Sequence, residues 1–153
     1  MKHLIVINLL ASALLVCATP SHAQTATRED AVALVEKAVA HVKKVGIPAA
    51  CKDFANPAGE FMKGELYVFV QSAETKMICH AANPKINGKD LAEMKDVNGK
   101  QFGKEQTALV MSKGKGWVDY VFLNPVSKAL EPKLSYGQKI DEASWLGVGI
   151  YRK

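Results

Sequence analysis

Trp117, Tyr120, Lys133 and Tyr136 fall in two strand-like runs, residues 116–125 and 132–136, with a turn between them. Three aromatic rings and one cation on adjacent strands suit a pocket for a small organic anion. The ammonium group gives a carboxylate a charge-assisted hydrogen bond. The tyrosines offer apolar rings with polar tips. His80 adds a further candidate, because an imidazole can bond a carboxylate when neutral and pair with it when protonated. Spacing restricts how these groups combine. Trp117 and Tyr120 are three apart, as are Lys133 and Tyr136, so a regular strand sends the members of each pair to opposite faces. A bulge, or a position at the strand entrance, would be needed to put both members of a pair in one pocket. Gly147 and Gly149 share one face of the last strand and leave space there, for a ligand or for close helix packing.

No nucleophile–base constellation accompanies these residues. Ser127, Ser135 and Asp141 could be drawn together with His80, yet no G-x-S-x-G turn frames them. The chain reads as a binding module and not as an enzyme. The alternative is an interaction or scaffold protein whose pocket is filled by its own side chains. No cofactor motif is present. His41, Cys51, Cys79 and His80 lack C-x-x-C or H-x-x-x-H spacing, so no metal site is expected. Asp96-Val97-Asn98-Gly99 resembles the start of a calcium loop, but its twelfth position is Thr107, and a turn is the better reading.

Residues 1–23 have the form of a secretory signal: a basic start at Lys2 and His3, an apolar run over residues 4–16, and Ser21-His22-Ala23 before the cleavage point. That run is too short for a bilayer span, which needs about 20 residues. The expected product is residues 24–153, one domain, periplasmic or secreted, with no membrane span after cleavage. The formal charge of +5 drops to +4 when Lys2 leaves. The lysines are scattered and only Arg28 and Arg152 are arginines, which argues against a nucleic-acid surface. Cys17 leaves with the signal. Cys51 and Cys79 then remain in an oxidising compartment, where a disulfide is expected and two buried thiols are the alternative.

The elements that must position these groups follow from periodicity. Thr27 and Asp30 form a capping pattern. Val32, Val35, Val39 and Val42 then recur at helical spacing, up to Gly46 and Pro48. A second short helix is expected over residues 48–54. Residues 66–70 form a continuous apolar run, and with residues 76–80 they read as a hairpin. A long connection over residues 81–115 is broken by Asn-Pro and Asn-Gly pairs. It has room for two short helices, at 90–95 and 104–112. A connection of this length in one domain is usually functional. Strands at 117–123, 130–140 and 145–151 end the chain. This is an α+β order: a five-stranded antiparallel sheet of PAS-like shape, with the long N-terminal helix on one face and the helical excursion over the other.

The chain also resembles the extracellular Cache sensor domains, specifically the single-Cache type 2 group. The matching pieces include Gly64-Glu65-Leu66-Tyr67-Val68-Phe69, Cys79-His80-Ala81-Ala82-Asn83-Pro84 and Gly88-Lys89-Asp90-Leu91. Others are Lys95-Asp96-Val97-Asn98-Gly99-Lys100, Gly116-Trp117-Val118-Asp119-Tyr120 and Asn124-Pro125. Pro132-Lys133-Leu134-Ser135-Tyr136 and Trp145-Leu146-Gly147-Val148-Gly149-Ile150-Tyr151 complete the set. They occur in family order over about two thirds of residues 24–153. The resemblance implies a small extracellular solute as ligand, often a short carboxylate, with Lys133 as the main contact. The partner it implies is a membrane-bound receptor or sensor kinase.

Overall fold

The computed structural model describes residues 26–152; the expected signal segment and its cleavage point lie outside them. Helix α1 (Arg28–Val45) starts where the capping pattern places it. The Thr27 side chain accepts from the Asp30 N–H, and the Asp30 carboxylate accepts from the Thr27 N–H. Ala31, Val35, Ala38, Val39 and Val42 form its buried stripe. Gly46, at a φ of 80°, ends α1 and starts α2 (Ile47–Phe54). That left-handed value is open to glycine without steric cost.

The strands are β1 (Met62–Lys63), β2 (Leu66–Ser72), β3 (Met77–His80), β4 (Lys115–Leu123), β5 (Leu130–Lys139) and β6 (Ser144–Tyr151). They form one antiparallel sheet in the order β1-β2-β6-β5-β4, with β3 also paired to β2. The sheet therefore has six strands rather than five. The added strand, β1, is two residues long, too short to leave a period in the sequence. The last strand, β6, is fully buried and inserted between β2 and β5.

One face of the sheet presents Val68, Val70, Leu134, Tyr136, Leu146, Val148 and Ile150 to α1 and α2. The Cys51–Cys79 disulfide is formed across a sequence separation of 28 and ties α2 to β3 on this side. The opposite face presents Tyr67, Phe69, Trp145 and Tyr151 to α3 (Phe102–Lys113) and the segment before it.

That segment departs from expectation. Residues 90–95 are not a helix, and a single 3-10 turn, Pro84–Ile86, precedes them. The Asp90 carboxylate accepts from the Ala92 N–H at 2.8 Å and the Thr75 hydroxyl at 2.7 Å, and the Asp90 backbone bridges to Lys76. Six residues supply little to offset helix nucleation, so these ties prevail. The Asp96 carboxylate accepts from the backbone N–H groups of Asn98, Lys100 and Val121, each at 2.9 Å. It forms a turn, as expected, and fastens the excursion to β4.

Candidate functional site

Lys133 lies at the centre of the α3 face of the sheet and is 1 % exposed. Five rings surround its Nζ: Tyr67 at 4.2 Å, Phe122 at 5.1 Å, Tyr151 at 5.2 Å, Phe69 at 5.5 Å and Tyr120 at 5.8 Å. Strand alternation gathers them, since Tyr67 and Phe69, Tyr120 and Phe122, and Lys133 and Tyr151 all point to one face. Gly149 makes the room. A Cβ there would collide with Lys133 Cε and Ser135 Oγ.

Nζ donates to the Tyr67 hydroxyl at 2.6 Å. The Tyr151 hydroxyl donates to the Leu123 carbonyl at 2.9 Å, so Tyr67 donates in turn to Tyr151 at 3.0 Å. The chain of donors thus runs outward from the lysine to the β4–β5 turn. No ion pair among the described residues involves Lys133. Glu131, two residues back on the same strand, accepts from Asn124 and Ser127. Quadrupoles of the rings favour the cation, but water is excluded, and burial lowers the Lys133 amine from 10.5 to about 7.

His80 is 4 % exposed, with its ring 4.8 Å from Tyr67 and 5.9 Å from Phe122. Its Nδ1 accepts from the Asn83 N–H at 2.9 Å, which places the ring proton on Nε2 as a donor. Burial first, then the neighbouring Lys133 charge, holds its pKa down to about 3, so His80 is neutral at physiological pH.

A cavity adjoins this cage and shares Phe69, Tyr120, Phe122 and His80 with it. Gln71 and Gln106 bring amide groups to its wall, and Met77, Ile86, Leu91, Met94 and Phe102 close it from the excursion and α3. It has about 300 Å³ of atom-free space but only about 10 Å³ in which the centre of a water molecule fits. That is room for about one water. The amides are engaged: Gln71 donates to Thr107 Oγ1 at 2.9 Å, and Gln106 to the Ser135 carbonyl at 3.3 Å. The Tyr120 hydroxyl and Ser135 Oγ are hydrogen-bonded at 3.0 Å.

Of the residues singled out in the sequence, the structure brings Lys133, Tyr120 and His80 together. It does not bring Trp117 or Tyr136 to them. These two rings lie 5.1 Å apart, tilted by 46°, on the opposite face, where the Arg28 guanidinium sits 5.2 Å over the Trp117 ring. The reason is parity: β4 and β5 keep one unbroken register from Lys115↔Gln138 to Leu123↔Leu130, with no bulge to turn either residue. Tyr67, Phe69, Phe122 and Tyr151 were not singled out. Tyr67, Phe69 and Gln71 do alternate, but a run that is apolar at every position hides which face is which.

The sequence pattern of the Cache domain matches residues 29–153. The chain belongs to the Cache domain family. Solved structures agree with that assignment. A periplasmic sensor domain of a chemotaxis protein is 30 % identical, with a TM-score of 0.64 over 82 % of this chain and 90 % of its own. A Cache chemosensory domain described for carboxylic acid recognition is 27 % identical, with a TM-score of 0.70 over 82 % of this chain and 92 % of its own. The fold is shared with a methyl-accepting chemotaxis protein from Vibrio parahaemolyticus at 23 % identity, with a TM-score of 0.70 over 81 % of this chain and 87 % of that one. Among curated proteins, the methyl-accepting chemotaxis protein McpP of Pseudomonas putida is 33 % identical over 86 residues. Those residues are 56 % of this chain and 16 % of McpP, so the Cache domain spans a small part of that relative's length. No helix among the described residues is long and apolar enough to cross a membrane. No group of three metal-binding side chains occurs among them. This Cache domain is of the sensor type, whose members bind ligands.

Proposed function

We propose that the Cache domain binds a small carboxylate in the cavity beside Lys133, with the ammonium as its main partner and His80 Nε2–H as a second donor. The observation that carries this reading is a buried amine in a ring cage that forms no ion pair among the described residues. Burying a charge is costly unless it is paired, and an anionic ligand would supply the partner. The small cavity favours acids of two or three carbons, admitted when Met77, Ile86 and Met94 shift; methionine adapts readily to such changes. The similarity to a domain described for carboxylic acid recognition supports the same class. Tyr120 lines the cavity, whereas Trp117 and Tyr136 contribute through the packing of α1.

The chain would act outside the cytoplasm after cleavage behind Ala23, with a membrane-bound receptor or sensor kinase as its partner. N-terminal sequencing of periplasmic material is expected to begin at Gln24. The binding test is calorimetry with short carboxylates on wild type, Lys133→Met and Lys128→Ala. Lys128 is exposed on the β4–β5 turn. Its loss should leave affinity within about twofold, whereas removing Lys133 should weaken binding by 30-fold or more, roughly 2 kcal/mol. Equal, small losses in both variants would sink the assignment. A failure of every small acid to bind wild type would favour a scaffold with a self-filled core.

A further inference from the structure

We propose that carboxylate binding by this Cache domain is coupled to the uptake of one proton by Lys133, so that the site retains acids at neutral pH and releases them as the pH rises. The inference rests on the carboxylate reading above and adds its regulation. Lys133 is wholly buried, touches rings on β2, β4 and β6, and forms no ion pair among the described residues. Among the described residues, only the ring faces and one phenol oxygen favour a charge there. An incoming carboxylate changes that balance, because an anion in a dry site strongly favours the ammonium form. Ligand and proton then bind with mutual support, as linkage requires.

The other groups around the amine do not compete for this proton. On β2, the Tyr67 phenol is held well above its ordinary value by burial and by the neighbouring tyrosines. On β3, His80 stays neutral because burial and the Lys133 charge depress it to about 3. On β4 and β6, Tyr120 and Tyr151 are both raised, chiefly by burial. The carboxylates of Glu65 and Glu131 lie beyond Tyr151 and raise it further. From α3 the facing groups are Gln106 and Thr107, which do not titrate. Asp96, Lys100, Asp119 and Arg152 line an open pocket at the outer side of the β4–β5 edge, to which Lys133 and Tyr120 also contribute. Hydrogen bonds hold the Asp96 and Asp119 carboxyls below their ordinary value, and the Asp119 and Glu105 carboxylates hold Lys100 above its own, so these three keep their charge between pH 6 and 9. Between pH 6 and 9 the one group facing the ligand that changes charge is Lys133, which titrates near 7 when the site is empty.

The sign follows directly. Below about pH 7 the amine already carries its proton, and binding takes up little. Above it, each bound carboxylate must bring a proton from solution, and the apparent Kd rises about tenfold per pH unit. The test titrates the full exported chain with acetate at pH 8 in phosphate and in Tris, whose ionisation heats differ widely. The expected result is an uptake of about 0.9 proton per acetate, from the fraction of Lys133 still neutral. The Kd should be nearly constant from pH 6 to 6.5 and rise steeply from pH 8 to 9. His80→Gln should retain the uptake, and its loss there would assign the proton to the histidine instead. Acetate binding with equal heats in both buffers and a flat Kd would overturn the coupling while leaving carboxylate binding intact. No binding of acetate or any other short acid at any pH would overturn both.

Discussion

The two faces of the sheet are equally buried and chemically unlike. Under α1 the contacts are mostly valine, leucine and isoleucine, with Tyr136 and Trp117 at the side and the Cys51–Cys79 disulfide closing it. Under α3 the face carries Lys133, Gln71, His80 and Ser135, and α3 itself brings Gln106 to it, all buried. Each polar group there has to be satisfied, and most are tied to Thr107, Gly103, Ser135 or Tyr67. A domain of this size could bury the second face with hydrocarbon as cheaply as the first. In the proposed reading, the face that carries buried polar groups is the one that binds the ligand, and the apolar face supports it.

The comparison breaks most visibly at its extremes. Lys133→Met should weaken carboxylate binding by 30-fold or more, a loss of roughly 2 kcal/mol or more. The same change should raise the melting temperature at pH 7, because it removes an amine whose burial is unfavourable. Cys51→Ser with Cys79→Ser should do the reverse. Opening a loop of this length costs about 3.6 kcal/mol in the chain-entropy model, while acetate affinity per folded molecule should stay within about twofold. Paired melting curves and calorimetry read both axes. Should the lysine variant melt lower at pH 7 as well as binding more weakly, the division of labour between the faces would be lost.

How much of this was legible beforehand depended on where period and chemistry coincided. The capped stripe of α1, the late strands and the Cys51–Cys79 link each left a local signal. So did the parity that separates Trp117 from Tyr120 and Lys133 from Tyr136. The ring cage did not, because it is assembled from β2, β4, β5 and β6, and no local pattern says which strands are neighbours. Lys133 stood out by its motif, yet its burial depends on Gly149, Tyr67 and Tyr151, which lie 16 or more residues away in sequence. The excursion was the least legible part. Its form is set by the Asp90 and Asp96 carboxylates, each bonded to backbone or side-chain donors far along the chain.

A sharper version of the comparison uses pH. In the unfolded chain Lys133 keeps its ordinary value of 10.5, and in the ligand-free fold it titrates near 7. Between those values the unfolded state binds more protons. Stability must therefore rise with pH across that window, by up to about 1.4 kcal/mol per unit. Below about pH 7 the amine is charged in both states and its unfavourable contribution is constant. Urea midpoints at pH 7, 8 and 9 should climb in wild type, and the slope should flatten in Lys133→Met. A slope unchanged by the substitution would place the titrating group elsewhere.

The smallest expected effect tests how finely the polar face is tuned. Tyr120 makes one hydrogen bond, to Ser135 Oγ, and stacks on Phe102 with ring centroids 4.5 Å apart. Tyr120→Phe keeps the ring and the stack and deletes the hydroxyl. Because Ser135 Oγ would be left without that partner in a buried site, a loss of about 1 kcal/mol in stability is expected. Acetate affinity should fall by no more than about fivefold, since the cation that neutralises the ligand is untouched. Ser135→Ala alone should cost a similar amount, and the double variant little more than either, because both remove the same bond. Additive losses in the double variant would mean that each hydroxyl stabilises the fold through a separate partner, and the Tyr120–Ser135 bond would not be the interaction that either substitution removes.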